Sequence, residues 1–390
     1  VGGISAVITA LSISGLNTAK MGSEKQDILH DSGDDIRIDW GYFYLAVKGE
    51  AQTGNEVLEE DLYAVFAETE LDNEKLFLFA YDDIESIEYF GKHLRSYWNK
   101  DGQTITEAIA EAAEEYEKLV PVCNDFSKKL YDDAFAAGGE KYAELLALSY
   151  RQVIAAHKLA LDENGDILYI SKECNSNGCA ATVDVSYPST PMYLLYNPEL
   201  VKGMMRPVYK YAESDAWKFD YAPHDVGQYP LLNGQVYGDN QEKWQMPVEE
   251  CGNMLVMETN VALATGNADF AKEHLPLLEK WCGYLIKHGA DPGHQLCTDD
   301  FAGHLAHNCN LSLKAIMGLQ GMSMIMKMLG DEEKSSYYRE EAVKMTENWK
   351  QTAVNDDGTT RLAFDRPDSY SMKYNMVWDK VWGTKLFSKK

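Results

Sequence analysis

The run Gly266-Asn-Ala-Asp-Phe-Ala-Lys-Glu-His-Leu-Pro-Leu-Leu-Glu-Lys-Trp-Cys-Gly-Tyr-Leu-Ile-Lys-His288 decides the reading of the fold. Phe270, Leu275, Leu278, Trp281, Cys282, Leu285 and Ile286 fall on one apolar stripe at helical spacing. The Gly266-Asn267 turn separates this helix from another helical pattern, Pro247 to Ala264. The same arrangement recurs outward: Gly139-Glu140 and Gly330-Asp331 also lie between two helical patterns. The expected helices are Thr104–Leu119, Val122–Ala136, Lys141–Leu161, Pro198–Ala212, Pro247–Ala264, Asp269–His288, Asn308–Leu329 and Glu332–Ala353. Tight turns within pairs and long loops between pairs predict a ring of αα-hairpins, an (α/α) toroid whose loops gather around one cleft. Those loops are Ser171–Asn197, Glu213–Gln245, Gly289–His307 and Asp356–Ser369.

Before this helical part the period is that of strands. Ile4–Ser14, Ile36–Val47, Leu62–Glu68 and Leu76–Tyr81 are rich in β-branched and aromatic residues and are separated by Gly, Asn and Asp. The expectation is an antiparallel β-sandwich portion over residues 1–95 and the helical toroid over 96–390. The first residues enter as if partway through a strand, and only four or five hairpins fit before Lys390, so both parts are expected to be incomplete.

The 390 residues carry a formal charge of -26, with 45% hydrophobic and 11% aromatic residues. That balance disfavours nucleic acid and anionic membrane surfaces as partners. No apolar run approaches the ~20 residues needed to cross a bilayer. Of seven cysteines, Cys174 and Cys179 bracket a short loop and are candidates to pair; the rest show no disulfide spacing.

The chemistry concentrates in the loops. The stretch between Trp217 and Trp244 is too aromatic for a disordered linker. It leads into Pro247, which places Glu249 and Glu250 in the first turn of a helix, with Asn253 one turn below. Acidic residues there also suit the helix dipole, so position alone does not make them catalytic. Asp299 and Asp300, in Thr298-Asp-Asp-Phe-Ala-Gly303, are candidates for a second carboxylate of an acid/base pair. Asp184, between two valines in Thr182–Pro188, reads either as a solvent-facing strand residue or as a carboxylate on the cleft rim. His224-Asp225 is a natural substrate-orienting pair. His294, Cys297, His304, His307 and Cys309 lack the paired knuckles of structural zinc, and the expectation is no metal and no other cofactor. Asp162-Glu-Asn-Gly-Asp166 lacks the later ligands of a calcium loop and reads as an Asn-Gly turn.

Taken together, Asp35-Ile-Arg-Ile-Asp-Trp-Gly-Tyr-Phe-Tyr-Leu-Ala46, Ser176-Asn-Gly178, Thr182-Val-Asp-Val185, Pro223-His-Asp-Val-Gly227, Met246-Pro-Val-Glu-Glu-Cys-Gly-Asn-Met254, Thr298-Asp-Asp-Phe-Ala-Gly303 and Lys373-Tyr-Asn-Met-Val-Trp-Asp379 resemble the glutaminase A-type proteins of bacteria and fungi. The resemblance implies a β-sandwich-like domain followed by a toroid similar to six-hairpin glycosidases. It also implies an extracytoplasmic enzyme that hydrolyses L-glutamine to glutamate and ammonia. Family members continue past Trp378-Asp379, which again implies a truncated chain.

The combined expectation is a hydrolase acting on a small polar substrate, with Glu249, Glu250, Asp299, Asp300 and Asp184 as catalytic carboxylates. His224, Asp225, Asn253, His304, Asn308, Trp378 and Asp379 are expected to bind substrate. Glutamine needs a compensating cation, the candidate loops are poor in Arg and Lys, and Arg366 or Lys373 is the candidate to serve. Two other readings stay open: a glycoside hydrolase with paired carboxylates, and a non-catalytic binding module.

Overall fold

Alternation along strands builds the first part of the computed structural model, which describes residues 6–34, 39–59, 62–70, 74–173, 176–297 and 302–387. Strands β1 (Ala6–Ile13), β2 (Leu16–Ser23), β3 (Tyr42–Lys48) and β6 (Phe77–Asp82) form an antiparallel sheet in the order β1-β2-β3-β6. Its register pairs Ala6 with Ser23, Leu16 with Lys48 and Tyr42 with Asp82. Strands β4 (Gln52–Glu59) and β5 (Leu62–Glu68) form a ribbon that lies against β2. A short hairpin, β7 (Ile87–Tyr89) and β8 (Lys92–Leu94), follows. In β6 the period of two is plain: Leu78 and Ala80 pack on the core, while Phe77, Phe79 and Tyr81 are exposed.

Helix α1 (Ile105–Gly138) starts with a capping box, in which Thr104 and Glu107 satisfy each other's backbone N–H groups. Its Ile109 and Ala113 join Ile13, Leu16, Tyr44 and Ala46 in one core cluster. Full burial of side chains of this size is worth about 1.5–3 kcal/mol each for Ile and Leu. The chain divides into compact units of residues 1–166 with 229–231, and 167–228 with 232–390. Helices α1 and α2 (Glu140–Ala155) therefore group with the sheet, although the change of period puts the expected boundary at residue 95. The two helices expected over 104–136 are one, because Pro121 is accommodated inside α1. After α2 the expected helix to Leu161 gives way to strand β9 (His157–Leu161). Asp162 accepts from the backbone N–H groups of Asn164 and Asp166, so this segment is a turn around Gly165.

The second unit is helical after strand β10 (Ile167–Ser171). It contains α3 (Val183–Tyr196), α4 (Pro198–Ala212), α5 (Pro247–Thr265), α6 (Asp269–Glu273), α7 (Leu275–His288), α8 (Cys309–Met328), α9 (Glu332–Thr352) and α10 (Val377–Trp382). Helix α3 replaces part of the loop expected over 171–197. Its Pro188 and Pro191 argue against a helix locally, but Thr190 Oγ1 donates to the Tyr187 carbonyl that Pro191 cannot reach, at 2.9 Å. The stripe expected as one helix over 269–288 breaks at His274, since Pro276 cannot continue the hydrogen-bond ladder. Among the described residues no helix is long and apolar enough to cross a membrane.

Helices α5 and α8 are buried on nearly every face, as helices without a polar side must be. They pack directly on each other, and α3, α4 and α7 surround α5 while α9 covers α8. Their backbones approach closely: a Cβ added at Gly321 would lie 2.2 Å from Thr259 Oγ1.

One buried carboxyl in this core makes stability depend on pH. Glu258 is fully buried and accepts from the Tyr209 hydroxyl at 2.6 Å. Burial pushes its pKa up to about 7, against the pull of Tyr209 and Lys202. A raised carboxyl pKa favours the protonated folded state. Its contribution is therefore full below about 4.5, the ordinary value, and is lost as pH rises through about 7. Glu258→Gln should flatten that loss, leaving the variant more stable than the parent at pH ~8 by on the order of 1–3 kcal/mol. Urea unfolding at mildly acidic and mildly basic pH checks this; an unchanged pH slope would count against the assignment.

Candidate active site

Backbone hydrogen bonds bring two distant segments together at the start of α3. Ala180 N–H donates to the Gly227 carbonyl, Val226 N–H to Ala180, and Val183 N–H to His224, at 2.8, 3.0 and 2.8 Å. This ladder sets Asp184, in the first turn of α3, opposite His224. The imidazole Nδ1 lies 3.0 Å from Asp225 Oδ2, and Nε2 lies 3.5 Å from Asp184 Oδ1. Asp225 is itself held, its Oδ1 accepting from the N–H groups of Gly227 and Val236. The Tyr237 ring stacks on His224, with centroids 4.1 Å apart.

The N-terminus of α5 supplies the next groups. Gln295, from the loop after α7, caps it by accepting from the N–H groups of Val248 and Glu249 at 3.0 and 3.4 Å. Glu249 and Glu250 are both fully buried. Asn253, one turn on, donates to Glu249 Oε1 at 3.3 Å and to Glu250 Oε2 at 3.1 Å. From α8, Lys314 reaches across with its Nζ 2.5 Å from Glu249 Oε1. Its stem crosses α5 at Gly252, where a Cβ would lie 2.5 Å from Lys314 Cγ. The Lys314 ammonium also sits 4.3 Å from the centre of the Tyr187 ring. Tyr187 is fixed in turn, donating to Asn375 Oδ1 at 2.9 Å and accepting from Trp378 Nε1 at 2.5 Å.

One ligand atom each of Asp184, His224 and Glu250 lies within 4.8 Å of the others. Burial raises the Asp184 pKa above the usual range; Glu249 and Glu173 add to the rise, while His224 and Lys314 oppose it. Glu250 is pushed well above the usual range, first by burial and then by repulsion from Asp184 and Glu249. Burial disfavours charge on His224, but the Asp225 hydrogen bond and the Asp184 charge outweigh it, and its pKa is raised. Burial likewise works against the Lys314 ammonium, and the attraction of Glu249 overcomes it.

Of the residues expected at the site, Asp184, His224, Asp225, Glu249, Glu250 and Asn253 thus meet in one place, and Trp378 touches this group through Tyr187. The others lie elsewhere in their local roles. Asn308 is the N-cap of α8, accepting from the N–H groups of Asn310 and Leu311. Asp379 caps the turn after α10, accepting from Thr384 Oγ1, Leu386 N and Phe387 N. His304 stacks on His294 and meets Trp244 edge-on. Asp299 and Asp300 fall outside the described residues, as does Cys174, while Cys179 carries a free, buried thiol. Lys373 donates to Ser371, and Arg366 is exposed. The cation at the cluster is Lys314, which the loops alone do not reveal. Its signal was there to read: Lys314 is the one charged residue between Cys309 and Met326.

The family described as the glutaminase A six helical-hairpin domain matches residues 139–390, which include every member of the cluster. The chain belongs to the glutaminase A family. A domain of unknown function matches residues 57–133. A curated relative, glutaminase A of Aspergillus oryzae, is 33% identical over 77% of this chain and 44% of its own length. A probable glutaminase of Arthroderma benhamiae is 28% identical over 66% of this chain and 36% of its own. The chain thus spans less than half the length of these two relatives. Among solved structures, a sugar epimerase from a ruminal bacterium aligns with a TM-score of 0.41 at 13% identity, over 66% of this chain and 67% of that one.

The cluster places three buried carboxyl groups, Asp225, Glu249 and Glu250, and the partly exposed Asp184 beside one ammonium and one imidazole, a setting for moving protons or polarising a bound group. Removing the ammonium should expose how much the arrangement depends on it. Lys314→Met leaves Glu249 as an uncompensated buried charge and should cost about 3–5 kcal/mol of stability. Adding Glu249→Gln should recover part of that loss. Chemical denaturation of the two single variants and the double variant measures the coupling; strict additivity would show that the pair is not coupled.

Proposed function

We propose that the protein is a hydrolase that attacks a terminal carboxamide, with L-glutamine as substrate and ammonia as a product. The observation that carries the reading is the convergence of Asp184, Glu250 and His224 within 4.8 Å, next to the Glu249–Lys314 pair. The names of the two curated relatives supply the substrate class. Asp184, with 15% of its side chain exposed, is the partly open carboxylate of the cluster and the place where substrate meets it. A water activated there adds to the carboxamide carbon. Its proton passes to the cluster and then to the departing nitrogen, so that the C–N bond breaks with release of ammonia. The His224–Asp225 pair fixes the ring that faces the reacting groups.

A retaining glycosidase working through the same pair is the second reading. Carboxylates flanking a sugar bond stand ~5–5.5 Å apart in retaining enzymes and ~6.5–9.5 Å apart in inverting ones. Asp184 and Glu250 each bring one oxygen within 4.8 Å of the other, which is nearer to the retaining spacing than to the inverting one. A passive binding module has no need of buried carboxyl groups gathered beside one lysine.

Assay of ammonia release from L-glutamine, beside a panel of aryl glycosides, tests the reading. Asp184→Asn and Glu250→Gln should each lower kcat by ~10²–10⁴-fold while circular dichroism stays that of the parent. Glycoside cleavage without ammonia release would overturn the substrate assignment. Full activity in both variants would overturn the site.

A further inference from the structure

We propose that Asp184, His224 and Glu250 together hold one divalent cation of the zinc type. The proposal rests on reading this cluster as the reaction centre, and it concerns what occupies the cluster rather than which amide is cut.

The argument begins with the imidazole. Asp225 accepts two backbone hydrogen bonds and faces His224 Nδ1 at 3.0 Å, so the ring proton belongs on Nδ1. In the neutral ring that keeps its proton on Nδ1, Nε2 turns its lone pair toward Asp184 Oδ1 at 3.5 Å, where a proton or a metal ion can sit between them. That separation is long for an N–H···O hydrogen bond. It matches the edge of a tetrahedral site, since metal–ligand bonds of about 2.0–2.1 Å put neighbouring ligand atoms about 3.4 Å apart. A carboxylate behind the other ring nitrogen is also the usual support for a metal-bound histidine, fixing its tautomer and raising its basicity.

Glu250 completes the triangle. It is fully buried, its Oε2 accepts from Asn253, and its Oε1 has no hydrogen-bond partner among the described residues. Charge points the same way. Four carboxyl groups, Asp184, Asp225, Glu249 and Glu250, gather here beside Lys314 and His224, and Lys314 lies against Glu249 at 2.5 Å. Buried carboxylates need a paired positive charge. A mixed set of one imidazole and two carboxylates suits zinc and its neighbours better than calcium or magnesium, which prefer oxygen alone. Three protein ligands leave a fourth position open, on the side where Asp184 reaches solvent, and a water there has its pKa lowered to about 7.

A second set, Cys179 with His224 and Asp225, also brings its ligand atoms within 4.8 Å of one another. Asp225 is already committed there to three hydrogen bonds, which is why the cation belongs on the Nε2 side. No local motif announces the site, because its ligands come from three separate segments.

The test uses protein stripped with a chelator, then titrated calorimetrically with Zn²⁺ near neutral pH, with Co²⁺ absorption as a report on ligand geometry. One Zn²⁺ should bind per chain. Asp225→Asn, which removes only the support of the imidazole, should weaken binding ~10–100-fold. His224→Ala should abolish stoichiometric binding, and Cys179→Ser should leave it unchanged, with thermal melts showing that each variant is folded. Absence of saturable one-to-one binding overturns the proposal. So does undiminished binding by His224→Ala, or loss of binding in folded Cys179→Ser. Ammonia release at full rate from metal-free protein would remove the cation from the reaction and leave the hydrolase reading standing. One-to-one binding without ammonia release would support the cation site and count against glutamine.

Discussion

The arrangement depends on placing the Lys314 ammonium in a fully buried position. An isolated ammonium in an apolar helix core is very costly, and the cost is offset only by a close partner of opposite charge. Glu249 is that partner, and their contact ties α8 to the first turn of α5. Once the pair exists, much else follows. Glu250, the next residue, is drawn into the same interior. Asn253 must turn its amide toward both acids, and the face of Tyr187 lies beside the ammonium. Asn375 and Trp378 then hold Tyr187 from behind.

The other half of the site comes from backbone rather than from charge. The short ladder between residues 180–183 and 224–227 brings a helix start and a loop into contact without any large side chain. This division of labour is economical in ordered residues. The helical core sets the position of the acids, and the strap sets the imidazole against them.

Local periodicity made much of the fold legible. Pro198–Ala212 reads as a helix from its proline start and apolar stripe, and α5, α8 and α9 end within about a residue or two of the reading, the ordinary scatter of helix ends. What escaped was governed by contacts far along the chain. Pro188 and Pro191 hide α3 because the hydroxyl that rescues the helix acts only once the helix exists. Pro121 does not end α1, and the strand at His157–Leu161 interrupts a pattern that looked helical. At the site, Glu249, Glu250 and Asn253 were legible because one helical turn separates them. Lys314 lies 65 positions from its partner, and a lysine amid apolar residues says nothing by itself about which acid it meets. Asn308 and Asp379 illustrate the converse: polar residues in conspicuous motifs whose work is to satisfy backbone groups at the ends of helices.

The crossing at Gly252 has a consequence for how such chains diverge. The stem of Lys314 occupies the space that any larger residue at 252 would need. Neither position is free to drift alone. A methyl group at 252 calls for a shorter side chain at 314, and a shorter chain at 314 strands the acid at 249. These three positions should therefore change as a block or not at all, so a homologue in which all three differ would have rebuilt the centre rather than tuned it.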